Sequence, residues 1–389
     1  MQDLVLTLSG DDQPGVTAGL TSALSDMGVN IRQLEQIVLQ GHLVLGLVLQ
    51  GDSPDLTRAE QEAAKYALSR DMNLVTRYIT DTELDHWRSR LIITVMGSPL
   101  EPSDVAAITS TIANAGGNID RIRQVAMYPV TAIEFEVGGV EKVSLREQLA
   151  VVARDNGIDI AVQESGLDRR GTHLVVMDVD STFIQEEVIE LLAAKAGVEQ
   201  EVADITHRAM NGELDFEASL RERVKMLKGL PETALAEVQA EITLTPGART
   251  LTQTLSKIGF HAALVSGGFI EVVGPLAKRL GVHDVRANQL EIVDGVLTGN
   301  VVGKVIDRKA KAQALVEFAA MHDIPLSRTI AIGDGANDLD MLHTAALGIA
   351  FNAKPYVRES ADASVTTPYL DTVLYIMGIP RDHIEQAEI

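Results

Sequence analysis

The stretch HLVVMDVDST, residues 173–182, places two carboxylates directly after a short apolar run. Apolar runs of this length are typical of strands that are buried on both faces of a parallel sheet. Charge at the end of a buried strand is costly, so Asp178 and Asp180 need an explanation. Taken alone, they could form a solvated turn or cap a helix together with Ser181 or Thr182. The segments that follow decide between these interpretations.

Three further apolar runs follow, at residues 262–265, 329–332 and 347–351, and helical stretches separate them. Strands that alternate with helices predict a doubly wound parallel sheet. Ligands of such sheets bind beyond the carboxyl ends of the strands. We therefore expect a functional site where these runs end.

Two of these runs end in polar, glycine-containing motifs. Ser266, Gly267 and Gly268 follow the second run, and a hydroxyl with exposed backbone N–H groups can hold a phosphate. GDGAND, residues 333–338, follows the third run, and Lys311 precedes its Asp334 by 334 − 311 = 23 residues. Each element alone has a simpler interpretation, such as a turn, a calcium loop or a solvated lysine.

Together and in this order, DVDSTF, SGGF, the lysine and GDGAND resemble the motifs of the haloacid dehalogenase superfamily, and in detail those of the phosphoserine phosphatase family. The resemblance covers residues 173–368. It implies an Mg²⁺-dependent enzyme that hydrolyses O-phospho-L-serine through an aspartyl-phosphate, the last step of serine biosynthesis. Residues 186 to about 250 are too many for a simple crossover, and the resemblance implies that they form a helical cap.

The resemblance also implies a role for each motif residue. Asp178 is the expected nucleophile and Asp180 the expected proton donor and general acid–base. The expected Mg²⁺ ligands are Asp178, Asp334 and the backbone carbonyl of Asp180, with Asp338 behind them. The residues expected to hold the phosphoryl group and the attacking water are Ser266, Gly267, Lys311 and Asn337.

Substrate choice is expected to depend on the cap. Glu187 and Arg223 match positions that recognise the ammonium and the carboxylate of phosphoserine in the similar family, a complementary pair for an amino acid. Met210 and Phe216 match apolar positions that shield the site from water. Without the resemblance, Glu186, Glu187 and Glu190 would be interpreted as an exposed acidic stretch, and residues 221–228 as a solvated cap surface.

The amino-terminal half of the chain contains one pattern twice: strand, helix and two strands, followed by a further helix and strand. Gly10 aligns with Gly97 and Asn30 with Asn118, at offsets of 97 − 10 = 87 and 118 − 30 = 88 residues. One inserted residue explains the difference. A βαββαβ unit of roughly 75 residues predicts a ferredoxin-like fold for each copy.

Each copy resembles the ACT domain, and the motif evidence is DDQPGV before the first helix of the first copy and GVNI after that helix. The second copy has SPLEPSDV in place of this motif and is interpreted as structural. The resemblance implies that two sheets pair and that a small ligand, usually an amino acid, binds at the seam. We predict a homodimer that forms through these domains, with the product serine as the feedback ligand. Gly10, Asp12 and Asn30 are the predicted ligand residues. Two ferredoxin-like folds without a ligand are the alternative.

The predicted fold is therefore α/β: two ferredoxin-like ACT domains, then a Rossmann-like parallel sheet with a helical cap. We place the domains at residues 1–85, 86–166 and 172–389, with a polar linker at residues 166–171.

The composition excludes several classes of partner. A formal net charge of −22 without a basic run argues against nucleic acid and anionic membranes. The chain has no basic, apolar leader and no apolar run of membrane-spanning length, so we expect a cytoplasmic protein. It has no cysteine, which excludes disulfides and thiolate metal sites.

The sequence spacing of His207, His261, His283 and His322 does not suggest a metal site, so these are expected to be structural.

Two other functions remain open. One is a phosphatase for another small phosphomonoester, such as phosphothreonine. The other is an amino-acid sensor whose phosphatase domain is inactive. The complete set of Asp178, Asp180, Ser266, Lys311 and Asp334 argues against the sensor.

Overall fold

The computed structural model of the chain describes residues 2–80, 91–210 and 213–388. Its contacts divide the chain into one compact unit within residues 1–88 and a second within residues 89–389. The domain boundary predicted between residues 85 and 86 lies outside the described residues.

The first unit is an antiparallel sheet with helices packed on one face. Alternation along β1 and β3 turns their leucines to the same side, where they form a core with α1 and α2. The strand order is β2-β3-β1-β4, as a ferredoxin-like fold requires. Its elements are β1 Gln2–Asp11, α1 Val16–Leu24, β2 Asn30–Leu39, β3 His42–Gly51, α2 Ser53–Ser69 and β4 Asn73–Thr80.

The second unit begins with the same fold. Its strands follow the order β6-β7-β5-β8, which matches the first unit element by element. Asn30 and Asn118 are the first residues of β2 and β6, so the predicted alignment of the repeats is confirmed. The elements are β5 Leu91–Gly97, α3 Pro102–Asn114, β6 Asn118–Ala126, β7 Thr131–Gly138, α4 Lys142–Asn156 and β8 Asp159–Glu164.

The remaining residues form the predicted α/β domain. Strands β10, β9, β13, β14 and β15 are parallel neighbours in this order, and an antiparallel hairpin of β11 and β12 extends the β10 edge. The strands are β9 Leu174–Met177, β10 His261–Phe269, β11 Asp284–Val293, β12 Val296–Val302, β13 Thr329–Gly333, β14 Leu347–Phe351 and β15 Ala363–Val365.

Helices lie on the sheet and above its carboxyl edge. The helices between β9 and β10 within the predicted cap range are α5 Val188–Ala196, α6 Glu199–Met210, α7 Phe216–Met226 and α8 Thr233–Glu241. The other helices are α9 Ala248–Lys257, α10 Ile270–Arg279, α11 Arg308–Met321, α12 Leu339–Thr344, α13 Pro355–Ser360, α14 Val373–Ile376 and α15 Arg381–Glu388. Among the described helices, none has both the length and the apolar character needed to cross a bilayer.

The second repeat and the α/β domain share one sheet. Ala363 of β15 pairs antiparallel with Ala161 of β8, which joins the two sheets into eleven strands. The predicted linker is anchored, because Arg169 pairs with the buried Glu134 and donates a hydrogen bond of 3.1 Å to the carbonyl of Ile376. The second repeat is therefore part of the same compact unit as the parallel sheet.

Candidate active site

A buried lysine joins two of the predicted strand ends. Asp178 directly follows β9, and its N–H donates to the carbonyl of Ile332 on β13 over 2.9 Å. Asp307 caps α11 by accepting from the N–H of Ala310 (2.8 Å), and Lys311 lies one turn into this helix. Lys311 Nζ lies 2.6 Å from Asp178 Oδ1 and 2.7 Å from Asp338 Oδ1. The prediction that Lys311 reaches the strand-end pocket is confirmed.

Three carboxylates meet at this point. One oxygen each from Asp178, Asp334 and Asp338 lies within 4.8 Å of the others. The buried hydroxyl of Thr182 donates to Asp334 Oδ1 over 2.8 Å. Burial, and then the charge of Asp338, raise the pKa of Asp178, while burial raises the pKa of Asp334 to about 6. Carboxylates that repel one another in a buried place fit a hard divalent cation, which would offset their charge.

Asp338 has a more direct position than predicted. Its Oδ1 accepts from Lys311, and its Oδ2 accepts from the N–H of Gly335 over 3.0 Å. Asp338 therefore orients the lysine as well as the loop that carries Asp334.

Asp180 connects the predicted phosphate-binding loop, Ser266 to Gly268, with the cap. Its Oδ2 accepts from Ser266 Oγ over 2.8 Å, and its Oδ1 accepts from the N–H of Val188, the first residue of α5, over 2.8 Å. Ser266 Oγ in turn accepts from the N–H of Gly268 over 2.7 Å. A Cβ on Gly268 would lie 3.0 Å from Asp180 Oδ2, so this close approach favours glycine.

The cap residues predicted to select the substrate lie near Asp180. Glu187 Oε1 accepts from Ser181 Oγ over 2.8 Å. Burial, and then the charge of Asp180, raise the pKa of Glu187 to about 7. Burial lowers the pKa of Arg223, while the carboxylates of Glu187 and Asp180 oppose this shift through space. The two predicted partners of an amino acid therefore lie near the phosphate-binding loop.

Phe216 covers the loop after β10, whereas Glu186 contacts the backbone of the cap. The ring of Phe216 lies over Gly267, where an added Cβ would be 3.2 Å from its Cζ. Glu186 instead accepts from the N–H of Thr243 (3.0 and 3.2 Å), so it holds the cap backbone. The side chain of Met210 lies outside the described residues.

Comparison with known proteins agrees with this geometry. Residues 175–343 match the haloacid dehalogenase-like hydrolases, and residues 2–76 and 89–163 each match the ACT domain. A phosphoserine phosphatase of Streptomyces coelicolor is 49% identical over 387 residues, 99% of this chain and 94% of that protein. Phosphoserine phosphatase SerB2 of Mycobacterium tuberculosis is 44% identical over 391 residues, 99% of this chain and 95% of that protein.

The chain belongs to the phosphoserine phosphatase family. A probable phosphoserine phosphatase from Vibrio cholerae, solved in unliganded form, has a TM-score of 0.60 at 35% identity, over 77% of this chain and 89% of that chain. A substrate-bound phosphoserine phosphatase complex has a TM-score of 0.51 at 41% identity, over 53% of this chain and 98% of that chain. The predicted class, two ACT domains before a haloacid dehalogenase-type hydrolase, is thus confirmed.

The remaining predicted residues lie in two places, the GDGAND loop and the first unit. Asn337 is half-buried in the short turn Ala336–Asp338 of the motif loop. Gly10, Asp12 and Asn30 belong to the first unit, and Gly10 pairs with Leu43 while Asn30 pairs with Gln50. These partners are 50 − 43 = 7 residues apart on β3, roughly 23 Å along an extended strand. One copy therefore does not bring Gly10 and Asn30 together.

Asn288 is a site residue that the sequence did not reveal. It is 1% exposed, its Nδ2 donates to the carbonyl of Gly267 over 2.7 Å, and its Oδ1 accepts from the N–H of Ile306 over 2.8 Å. It ties the phosphate-binding loop to the segment before α11. A lone asparagine carries no motif, and only its burial between two backbone groups identifies it.

Two of the histidines expected to be structural lie close together in the structure. His261 and His322 are far apart in sequence, which is why spacing did not suggest a metal site, but the structure brings both next to Asp284.

Proposed function

We propose that this chain hydrolyses O-phospho-L-serine to L-serine and phosphate, with Asp178 as the nucleophile. The observation that carries the proposal is the position of Asp178, which lies against buried Lys311 and beside the Asp180–Ser266 pair. A phosphate monoester repels nucleophiles, so its hydrolysis needs positive charge and aligned groups in this arrangement.

Each side chain has a distinct role in the two steps of the reaction. Asp178 attacks phosphorus, the bond to the serine oxygen breaks, and Asp180 gives its proton to the departing oxygen. Asp180 then takes a proton from the water that attacks phosphorus, which frees Asp178 and releases phosphate. Lys311, Ser266 and the N–H of Gly267 hold the phosphoryl oxygens, and Asn337 is a donor near the water.

We propose Mg²⁺ as the cation, because oxygen ligands and phosphoryl transfer favour it. Asp178, Asp334 and the backbone carbonyl of Asp180 are its proposed ligands. When bound, the cation neutralises charge on the phosphoryl group. The carboxylate cluster around Asp334 supports this proposal.

Substrate choice is assigned to two charged cap residues. Glu187 would receive the ammonium of phosphoserine and Arg223 its carboxylate. An ammonium beside Glu187 would favour the ionised carboxylate, against the burial that raises its pKa to about 7. Phe216 would exclude water above the phosphoryl group.

We further propose a homodimer that forms through the ACT domains, with serine as a feedback ligand. Edge strand β2 supports this assembly, because Ile31, Ile37 and Leu39 on it are 50, 50 and 61% exposed. A second copy could bring Asn30 opposite Gly10 and Asp12, which one copy keeps apart. A cytoplasmic location and the lack of nucleic-acid or membrane partners remain predictions from the sequence.

The replacement Asp178→Asn tests the proposed nucleophile. The amide is nearly isosteric but cannot form an acyl-phosphate, so we expect phosphate release from phosphoserine to fall at least about 10³-fold. Mass spectrometry of quenched wild-type enzyme should show one added phosphoryl group at Asp178. Exposed Asp382→Asn is the control. Phosphate release near the wild-type rate from a folded Asp178→Asn variant would contradict the proposal.

A further inference from the structure

Three titratable side chains meet at the edge of the parallel sheet opposite to Asp178. His261 is the first residue of β10 and Asp284 the first of β11, so both lie at the amino ends of parallel strands. His322 directly follows α11. The residues proposed for phosphate chemistry lie at the carboxyl ends, so this cluster is separate from the active site.

The three side chains are close enough to share one ion. His322 Nε2 lies 2.6 Å from Asp284 Oδ2, and the rings of His261 and His322 stack with centroids 3.9 Å apart and planes 28° apart. One possible ligand atom from each residue lies within 4.8 Å of the other two. All three residues are half-buried, so water and ions can reach them.

The chemistry of the set distinguishes it from the active-site carboxylates. Two imidazoles and one carboxylate suit a transition ion such as Zn²⁺, whereas oxygen ligands alone suit Mg²⁺. Burial, and then the charge of His322, lower the pKa of His261, which favours the neutral ring that metals bind. The chain has no cysteine, so no thiolate competes for such an ion.

We propose that His261, Asp284 and His322 form a second metal site, which binds Zn²⁺ with water in the remaining position. Ligands about 2.0–2.1 Å from tetrahedral zinc lie roughly 3.3 Å from each other. The ion would replace the proton between His322 and Asp284, and the two atoms would separate from 2.6 Å. The stacked rings must also turn, which the broad χ2 preference of histidine permits.

The site would connect three elements that the active site depends on. Strand β10 carries Ser266, β11 carries Asn288, and α11 carries Lys311. An ion at the opposite ends of these elements would stabilise the folded state in proportion to its affinity.

The experiment measures metal binding by the full chain, independently of activity. Purified metal-free protein is equilibrated with Zn²⁺ in excess Mg²⁺, and the bound zinc is counted after dialysis. Titration with Co²⁺ reports tetrahedral coordination through its visible absorption, and the variants identify the ligands. The variants are His261→Gln and His322→Gln, and His283→Gln is the control because His283 is exposed and adjacent to Asp284.

We expect wild type and the control to bind one more equivalent of Zn²⁺ than either ligand variant. The Co²⁺ absorption and the rise in melting temperature with Zn²⁺ should be lost in both variants, with affinity at least about 10-fold weaker. Equal zinc stoichiometry in wild type and variants would overturn the proposal. A Co²⁺ spectrum that is the same in wild type and in His261→Gln would overturn it as well. In either case, the three residues form only a hydrogen bond and a ring stack.

Discussion

At the scale of single residues, Lys311 shows how far the sequence predicts the site. Its distance from GDGAND and its place on the helix before β13 predicted that it reaches the strand ends. Burial alone would lower its pKa, but Asp178 and Asp338 outweigh burial and raise it. The pairing with Asp338 could not be predicted, because it depends on how the loop after Gly333 turns back.

Arg223 provides a test of substrate selection. Arg223→Ala removes the proposed charge-assisted contact with the substrate carboxylate. Such a contact is typically worth about 1.5–3 kcal/mol, so kcat/KM for phosphoserine should fall roughly 10- to 150-fold. Phosphoethanolamine keeps the ammonium but lacks the carboxylate, and its kcat/KM should change much less.

The matched control is Arg221→Ala on the same helix, because Arg221 is exposed and pairs with Glu217. The control should leave both substrates unaffected. If Arg223→Ala reduces kcat/KM equally for both substrates, Arg223 acts on the phosphoryl group or on the cap, and the assignment to the carboxylate is wrong.

At the scale of elements, periodicity predicted the repeats and the parallel strands well, but it did not predict the β11–β12 hairpin. The turn of this hairpin is Asp294-Gly295, with φ of 51° and 77°. An Asp-Gly pair between alternating apolar residues is a recognised hairpin signal. The alternation of strands and helices around it conceals this signal, because that pattern predicts only parallel strands.

Asn288 tests whether this hairpin supports the active site. Asn288→Ala leaves the carbonyl of Gly267 and the N–H of Ile306 without their partner, which should cost roughly 1–3 kcal/mol of unfolding free energy. Because the phosphate-binding loop loses its support, we expect kcat for phosphoserine to fall about 10-fold or more while KM changes little.

Asn288→Asp separates the two hydrogen bonds, because it can accept from Ile306 but cannot donate to Gly267. We expect its kcat to be as low as that of the alanine variant. Asn300→Ala, at an exposed position on β12, is the control. A normal kcat in a less stable Asn288→Ala variant would show that Asn288 only stabilises the fold.

At the scale of the whole molecule, the sequence predicted separate domains but not the continuous sheet. Neither β8 nor β15 carries a signal that they pair, because the pairing depends on which edges the folded domains expose. Side-chain hydrogen bonds also connect the second repeat to the α/β domain. Gln163 Nε2 donates to the carbonyl of Ile376 over 2.6 Å, and Tyr375 donates to the carbonyl of Tyr128 over 3.1 Å. Sequence patterns predict single helices and strands. They do not predict hydrogen bonds between two folded domains.

Asp159 at this junction makes stability depend on pH. Its Oδ2 accepts from the N–H of Thr366 over 2.8 Å, while within the described part of the chain its buried Oδ1 has no hydrogen-bond partner. Burial raises its pKa from 3.8 to about 6. The folded state therefore binds this proton more tightly than the unfolded state, and stability falls as pH rises from 4 through 6.

Asp159→Asn removes this dependence and keeps an acceptor for Thr366. At pH 8 the variant should be more stable to urea than wild type, by at most roughly 3 kcal/mol, and the difference should vanish near pH 4. Exposed Asp155→Asn is the control. A difference that stays constant from pH 4 to pH 8 would exclude titration of Asp159 as its cause.

The core of the second repeat continues into the α/β domain, which determines where the chain can be shortened. Val130, Ala132 and Ala161 belong to the same apolar core as Tyr375 and Ile376. A chain that begins at Thr172 would expose these contacts and the edge of β15. We expect it to unfold at a lower temperature or to aggregate, so its loss of activity would say nothing about regulation.

Removal of the first unit alone is therefore the informative test of assembly and feedback. A chain that begins at Ser89 keeps the whole second unit, so we expect it to fold and to release phosphate from phosphoserine. If β2 forms the dimer and serine binds at its seam, the shortened chain should be monomeric by light scattering and respond to serine only as a competitive product. Asn30→Ala should keep the dimer but weaken the serine response, typically by about 1–3 kcal/mol of coupling. A shortened chain that remains dimeric and responds to serine as the full chain does would exclude the first unit as both dimer interface and sensor.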